Sequence, residues 1–485
     1  DPATGTGTFL ARVLQEIYSN FGNMPALWKG YVNQDLLPRI HGFEILMASY
    51  AMAHLKLDLV LRETGAEPDK RFNVFLTNSL EEAHPDTGTL FAQWLSQESS
   101  EANRIKKDMP IMCIIGNPPY AISSSNKGQW INELVSDYKK GLVEKSFNSL
   151  SDDYVKFIRF AEHFIVKNTS GIVAMITNNS YIKGVVFNRM REHLLTSFDK
   201  IFIYDLHGDT KFGTTPNGSP DQNIFDIQQG VCISILIRKN QKSEKGLAKV
   251  FHLDSWGKRE KKYEQLLKHS IESDYWKEIR PEPPYFFFIP KNFDSKNSYE
   301  EGFKLSETIK SYNTGIESGR DNFFIAFTKE ELRDKIESVM ADKVNPSLIE
   351  KYMIKDGSGF KFKTLLSKAQ FSPDNLKKLS YRPFDYRFNY YDQFLQRRPS
   401  SDTMFHMLQE GNFGLIIKRA RLLGKQSGFN HCYLTSSLVD KNLLADQSYC
   451  LPLYTYVNPA QLNLDQGINR HPNLKEKVIE KVANK

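Results

Sequence analysis

Asn117-Pro118-Pro119-Tyr120 puts a carboxamide, a rigid turn and an aromatic ring into four consecutive residues. They follow Ile111-Met112-Cys113-Ile114-Ile115-Gly116, whose five apolar residues predict a strand buried on both faces, as in a parallel sheet. The two prolines end the ladder and stiffen the turn. The polar groups therefore fall just past a strand's carboxyl end, where open α/β sheets bind ligands. The chemistry this set suits is activation of an exocyclic amine on a base ring. Such a nitrogen is a poor nucleophile while its lone pair is delocalised. Two acceptors aimed at its N–H bonds, the Asn117 side-chain oxygen and the Pro118 carbonyl, would draw it toward tetrahedral geometry. Tyr120 offers a flat face to a base taken out of its stack. The competing reading is a strand-end turn with an Asn cap and a core tyrosine, because Asn-Pro is common in turns.

A second group opens the sequence: Asp1-Pro2-Ala3-Thr4-Gly5-Thr6-Gly7-Thr8-Phe9. Gly5 and Gly7 permit a tight turn and close approach of the backbone to a ligand. Phe9, Leu10, Val13, Leu14 and Ile17 predict a helix directly after it. Gly-x-Gly alone is a weak signal, and a nucleotide loop of another kind has the same look. No Gly-Lys-Ser/Thr ending follows, so it is not a P-loop. Next, Arg39–Ile45 predicts a short strand carrying Glu44 at its end, with a helix from about Leu46 to Leu57. A carboxylate there can accept two hydrogen bonds from a ribose diol. The alternative is an acid favoured at a helix N-terminus. Val74–Leu80 predicts a third strand and its exit, where Asn78 is equally a turn or N-cap residue.

These groups need a scaffold, and the rest of the first half supplies one. Residues 81–108 predict a helix plus a loop. Ser123–Ser151 is polar and predicts a long connector or a lid. Asp152–Val166 predicts a helix whose face of Val155, Ile158, Phe160, Ala161, Phe164 and Ile165 packs on a sheet. Strands are predicted at Gly171–Thr177, Lys200–Asp205 and Val231–Ile237, with a helix over Val185–Phe198 and a loop over Gly208–Asp221. The exit Asn178-Asn179-Ser180-Tyr181 is placed to shape a base pocket. Strands alternating with helices predict a doubly wound, mostly parallel α/β sheet. Lys242–Ile279 predicts one strand and charged helices, and Arg280-Pro281-Glu282-Pro283-Pro284 breaks the pattern.

Beyond that break the composition changes. Aromatics cluster at Tyr285–Phe288 and at Tyr381-Arg382-Pro383-Phe384-Asp385-Tyr386-Arg387-Phe388-Asn389-Tyr390-Tyr391, interleaved with Arg397-Arg398 and Lys418-Arg419-Ala420-Arg421. Of 64 Lys/Arg and 57 Asp/Glu, 34 of each lie up to Pro284, so the whole excess of +7 falls in the remainder. That distribution fits a nucleic-acid face as well as an ordinary solvated surface. Arginine beside aromatics can clamp guanine edges or phosphates, and Gly315–Asn322 reads as a loop that presents Arg320. Each single arginine can equally be a strand-pair residue matched to an Asp. The chain's 485 residues allow two or three domains. No apolar run approaches a membrane span. The four cysteines show no zinc spacing and predict buried free thiols in a reducing bacterial cytoplasm, and no metal is expected.

Taken in order, the opening Asp1–Phe9 loop and Asn117-Pro118-Pro119-Tyr120 resemble the S-adenosylmethionine loop and catalytic motif of DNA adenine-N6 methyltransferases. Gln222–Gly230, Leu253–Glu260, Gly319-Arg320-Asp321 and Tyr381–Arg387 extend the resemblance to the methyltransferase and target-recognition portion of Type ISP restriction–modification enzymes. The resemblance implies a Rossmann-like methyltransferase domain over 1–240, a connector over 241–284 and a mixed α+β DNA target-recognition domain over 285–485. It implies that S-adenosyl-L-methionine meets Asp1, Ala3, Thr4, Gly5, Gly7, Phe9, Glu44, Asn78 and Asn117. Asn78 would meet the cofactor's adenine amine. Asn117, Pro118, Pro119 and Tyr120 would be catalytic. Arg320, Arg382, Arg387, Arg397, Arg398, Lys418, Arg419 and Arg421 would touch double-stranded DNA. It also implies a nuclease and a helicase-like motor upstream, and a first, central strand ahead of Asp1. Two other readings stay open: an N-methyltransferase acting on RNA or protein glutamine, and a non-catalytic specificity module.

Overall fold

In the computed structural model all residues are described except 22–23, 82–89, 121–123, 143–146, 211–212, 240–245, 295–298, 303, 358, 419–431, 445–446, 458–469 and 484–485. Two compact units follow one another, Asp1–Asn292 and Phe293–Lys485.

The first unit opens with α1 (Thr8–Phe21), β1 (His41–Glu44), α2 (Met47–Glu63), β2 (Asn73–Leu76) and α3 (Leu90–Asp108). β1 and β2 pair in parallel, Glu44 opposite Leu76. Alternation along β2 sends Val74 and Phe75 to opposite faces. Val74 packs with Leu10 and Leu14 of α1 and Leu57 and Leu61 of α2, while Phe75 packs with Ala102 and Ile105 of α3. This small sheet is therefore covered on both faces by helices.

The second sheet is built from β3 (Cys113–Gly116), β4 (Gly171–Asn178), β5 (Lys200–His207), β6 (Val231–Arg238), β7 (Lys249–Asp254) and β8 (Lys277–Ile279). Its order is β3-β4-β6-β5-β7-β8. β3 with β4 and β5 with β7 are parallel, whereas β6 runs antiparallel to both neighbours and β8 to β7. The sheet is thus mixed rather than mostly parallel, because β6 is inserted in reverse between β4 and β5. α4 (Gln129–Ser136), α5 (Asp153–Lys167) and α6 (Asn188–Ser197) cover it. All six apolar residues expected on the α5 face are buried. The stretch expected as a polar connector contains α4. Ile131 and Val135, at helical spacing and flanked by Trp130 and Leu134, are fully buried. The aromatic run after the proline-rich break belongs to this unit, and Phe286 and Phe288 sit in its main core.

β3 is not buried on both faces as its sequence suggested. Met112 is 49% exposed and Cys113 is also exposed. The reason is topological: among the described residues β3 pairs only with β4. A cavity of about 550 Å³ lies along its free edge, lined by Pro2, His41, Phe43, Pro110, Met112 and Ile115 among others. Of the four thiols, Cys113 and Cys432 are exposed, and only Cys232 and Cys450 are buried, each pushed up to about 12 by burial.

The second unit carries two four-stranded sheets. One has the order β10 (Ile325–Ala326), β12 (Asp385–Tyr390), β11 (Leu376–Arg382), β15 (Leu438–Val439). The other has the order β14 (Cys432–Thr435), β13 (Gly414–Lys418), β16 (Ser448–Pro452), β9 (Asn313–Thr314). β11 and β12 form the hairpin that the Tyr-Arg-Pro-Phe-Asp-Tyr-Arg stretch turns through. Helices α7 (Arg259–Lys268) of the first unit and α8 (Lys329–Ala341) and α9 (Ser401–Met407) of the second complete the elements used below. No helix among the described residues is long and apolar enough to cross a membrane.

Candidate active site

The opening residues run alongside β1 in parallel fashion. The Asp1 nitrogen donates to His41 O (2.9 Å), Phe43 N to Asp1 O (3.0 Å) and Thr4 N to Phe43 O (3.0 Å). Within this turn Ala3 N donates to Asp1 Oδ1, and the buried Thr4 hydroxyl donates to Asp1 O. Gly5 and Gly7 both take left-handed φ values, 55° and 79°. Their environments differ. Nothing lies within 4 Å of where a Gly5 side chain would point, whereas one on Gly7 would meet Ala53 of α2 at 3.3 Å. Gly7 seats the turn on a helix, and Gly5 faces open space. Phe9 sits half-buried in the first turn of α1.

Glu44, at the end of β1, is 8% exposed. Its Oε2 accepts from Gly5 N at 2.7 Å, and its Oε1 from Ile45 N and Leu46 N. Three of a carboxylate's roughly four acceptor positions are therefore spent on the backbone, which fixes the group rigidly beside the glycine turn. Asn78, at the exit of β2, is also held. Its Nδ2 donates to Asn126 Oδ1 (2.7 Å), and its Oδ1 accepts from Leu80 N (3.0 Å). Asn126 in turn donates to Asp153 Oδ1, as does Ser124, and Lys156 donates to Ser124 Oγ and to the Asn126 carbonyl. Sequence reasoning missed these partners. The one cue was the acidic pair Asp152-Asp153 at the start of a helix.

The turn after β3 lies against this group. A side chain at Gly116 would come within 3.0 Å of Asp1 Oδ1 and 3.5 Å of Pro2 Cδ. Glycine immediately before Asn117 is thus what lets the two loops touch. Asn117 and Pro119 are exposed and Pro118 is buried. The Tyr120 hydroxyl donates to Asn117 Oδ1 (3.1 Å) and lies 3.3 Å from Ile176 O of β4. Burial raises the Tyr120 pKa above its ordinary value, so the hydroxyl keeps its proton. The ring meets Tyr154 edge-on at 6.4 Å and packs beside Tyr204, Leu206, Ile224 and Val231. The Tyr154 hydroxyl is buried without a hydrogen-bond partner. The exit after β4 is turned inward instead: Asn179 bonds Asp205, and Tyr181 is buried against Ser234.

Asp1, Ala3, Thr4, Gly5, Gly7 and Glu44 thus form one hydrogen-bonded group, with Asn117 next to it and Asn78 at the neighbouring strand end. The donor set fits an adenosyl cofactor on structural grounds. Gly5 leaves open space, Glu44 keeps an acceptor position for a hydroxyl, and Asp1 Oδ2 is a buried acceptor with no donor.

The basic residues of the second unit divide. Arg320 bonds the Lys355 carbonyl and lies 4.1 Å over Phe362. Arg382 pairs with Asp440 at 2.8 Å, and Arg387 pairs with Asp385 while lying between Phe327 and Tyr381. These three are spent inside their own unit, as the strand-pair alternative anticipates. Arg397 and Arg398 are 54% and 69% exposed and share Glu317 with Lys441. Lys418 ends β13. Arg419 and Arg421 lie outside the described residues.

Comparison with known proteins follows the same division. Residues 39–212 match the family model of the Eco57I restriction-modification methylase, and residues 307–485 match that of the Type ISP C-terminal specificity domain. No curated protein sequence matches the chain. Among solved structures it is similar to the ATP-dependent Type ISP restriction-modification enzyme LlaBIII bound to DNA, with 24% identity and a TM-score of 0.73. That match covers 100% of this chain and 33% of the other. It is also similar to a nuclease-deletion mutant of the Type ISP enzyme LlaGI in complex with a DNA substrate mimic, with 20% identity, coverages of 100% and 40%, and a TM-score of 0.69. The DrdV–DNA complex gives 21% identity, coverages of 99% and 48%, and a TM-score of 0.68. The chain therefore spans a third to a half of the length of these structures, and they establish its fold. The resemblance read from the motifs agrees with these matches: a region similar to the Eco57I methylase model is followed by one similar to the Type ISP specificity model.

Proposed function

We propose that the chain is the methyl-transferring and target-reading part of a larger restriction–modification enzyme. It methylates the N6 of adenine at a specific site in duplex DNA. The observation that carries this reading is the contact of the Asp1–Gly7 turn with Gly116, which sets Asn117 beside a cofactor cradle. The family matches support a methylase. The N6 assignment rests on Asn117-Pro118-Pro119-Tyr120 alone. Bound S-adenosyl-L-methionine would supply an electrophilic methyl group on a sulfonium, which needs no metal to activate it.

The protein's own work is positioning. Glu44, held by three backbone amides, takes a ribose hydroxyl at its remaining position. Asn78, tethered through Asn126 to Asp153, faces the adenine of the cofactor. Asn117 Oδ1 and the Pro118 carbonyl accept the two N–H bonds of the target amine and localise its lone pair. The Tyr120 ring stacks on the extruded base. The second unit supplies DNA contacts, with the exposed Arg397 and Arg398 the foremost. We read the two sheets of the first unit as parts of one doubly wound sheet, since the Asp1–Thr4 segment beside β1 and the unpaired edge of β3 border one cavity. Nuclease and motor functions belong to parts of the enzyme outside these residues.

Asn117→Ala tests the assignment. Cofactor and DNA binding should persist while incorporation of tritiated methyl groups into DNA disappears. Undiminished incorporation would falsify the role given to Asn117. Competition among duplex DNA, RNA and protein substrates in the same assay separates the reading from the other amine acceptors. The specificity-domain match favours DNA.

A further inference from the structure

At the carboxyl ends of β5 and β7 four ionisable side chains converge, well outside the chemistry assigned above. Asp205 and Asp254 are register partners on these parallel strands, and His252 lies two residues before Asp254, on the same sheet face. His207, the last residue of β5, reaches both carboxylates. Its Nδ1 is 3.3 Å from Asp205 Oδ2, and its Nε2 is 2.6 Å from Asp254 Oδ1. His252 Nδ1 is 3.6 Å from Asp254 Oδ2. One donor atom each from Asp205, His207 and Asp254 lie within 4.8 Å of one another, so a small side-chain rotation brings them within the roughly 4.4 Å that two bonds of about 2.2 Å to a single cation can span. The group borders a cavity of about 390 Å³, which Lys183, Asp209, Asp221 and Trp256 also line.

A separate observation comes from His252, which lines the same cavity. His252 is 2% exposed, and its Nε2 has no hydrogen-bond partner. Leaving a buried polar atom unsatisfied costs about 1–3 kcal/mol, so such atoms call for a partner.

We propose that Asp205, His207 and Asp254 bind one divalent transition cation of the zinc class, with His252 beside Asp254 at its edge. An imidazole and two carboxylates suit such an ion better than magnesium or calcium, which favour all-oxygen shells. The two carboxylates balance its charge. The role is bracing. The loop leaving His207 is pinned by Gly208 N donating to Asp221 Oδ2 (2.8 Å), and it returns at Gly230, whose carbonyl accepts from Asn179 N (2.9 Å). It carries Ile224, Phe225 and Ile227, which pack in the cluster beside Tyr120. Sequence spacing hides the site. Asp205-x-His207 and His252-x-Asp254 become neighbours only once the β5–β7 register is known.

The test uses the full 485-residue chain without an affinity tag, dialysed against a chelator and titrated with zinc chloride by calorimetry. Cobalt chloride serves as the spectroscopic probe. One equivalent should bind, the melting temperature should rise, and cobalt should give ligand-field absorption. His207→Ala and Asp254→Asn should each weaken binding about tenfold or more, with far-ultraviolet circular dichroism unchanged. No saturable zinc binding by the wild type, or equal affinity in both variants, overturns the site. The cobalt spectrum of the wild type stands independently of variants that misfold: without ligand-field absorption at one equivalent the proposal is lost. None of these readouts depends on methyl transfer, so the methylase reading can fail without it.

Discussion

The Tyr120 hydroxyl donates to the Asn117 oxygen that the proposed mechanism needs for the substrate amine. With no base present the phenol keeps the carboxamide aimed, and an arriving amine takes over or shares that acceptor. The ring and the hydroxyl therefore have separable jobs. Tyr120→Phe removes one neutral hydrogen bond, worth about 1 kcal/mol, so single-turnover methyl transfer should stay within about tenfold of wild type. Tyr120→Ala also removes the stacking face, worth about 1–3 kcal/mol per base, and should be slower by about 10- to 100-fold. Equal rates for Tyr120→Ala and wild type would remove Tyr120 from the site. The same division holds at Glu44, where three backbone donors mean that Glu44→Gln disturbs the turn as well as any ribose contact.

Among the elements, the glycine turn before α1 is the most constrained. Gly7→Ala would force a left-handed φ on a side-chain-bearing residue and press its methyl group on Ala53 at 3.3 Å. A loss of about 1–2 kcal/mol in thermal unfolding is expected, with weaker cofactor binding by calorimetry. In the second unit Glu317 ties Arg397, Arg398 and Lys441 together. Burial pushes its pKa up, but the three cations outweigh that and hold it below the ordinary glutamate value. A depressed folded pKa means that the stabilisation is complete above about pH 4.3 and is lost as pH falls through the folded value. Glu317→Gln should therefore lower stability at pH 7 by about 1–3 kcal/mol, and the deficit should shrink in melts below about pH 4. A deficit independent of pH would show that the charge is not what matters. The elements were legible where pattern and packing agree. α1, β1, β2, α5, β4 and β5 appear where apolar spacing placed them. α4 was hidden because its apolar residues Trp130, Ile131, Leu134 and Val135 are a short patch inside a long Ser-, Asn- and Lys-rich stretch, so a composition-based reading sees a loop. The reversed β6 was also illegible, since a buried strand's residues do not record its direction. The touch between Asp1 and Gly116 depends on two loops over a hundred residues apart, and only their motif identity hinted at it. Arg320, Arg382 and Arg387 looked like free cations because their partners, Phe362, Asp440 and Tyr381 among them, are remote or stacked.

At the scale of the whole chain, the excess of seven positive charges is modest, so affinity for DNA should come from a few placed cations. Among the described residues, Arg397 and Arg398 are the proposed cations that the structure leaves outward. If Arg398 meets a phosphate, Arg398→Ala should weaken binding evenly across sequences and reduce the salt slope of log K by about 1. A slope unchanged within error rules out that contact. A larger consequence lies with β3. Strand borders that lack neighbours expose rows of amide and carbonyl groups, and such borders recruit whatever extended chain comes near. Around β3 the border is greasy, with Met112 49% exposed and the Cys113 thiol open to solvent. Held alone at rising concentration, these 485 residues should self-associate through that seam. Maleimide labelling of Cys113 should fall as the oligomers form, and charged Met112→Lys chains should stay dispersed.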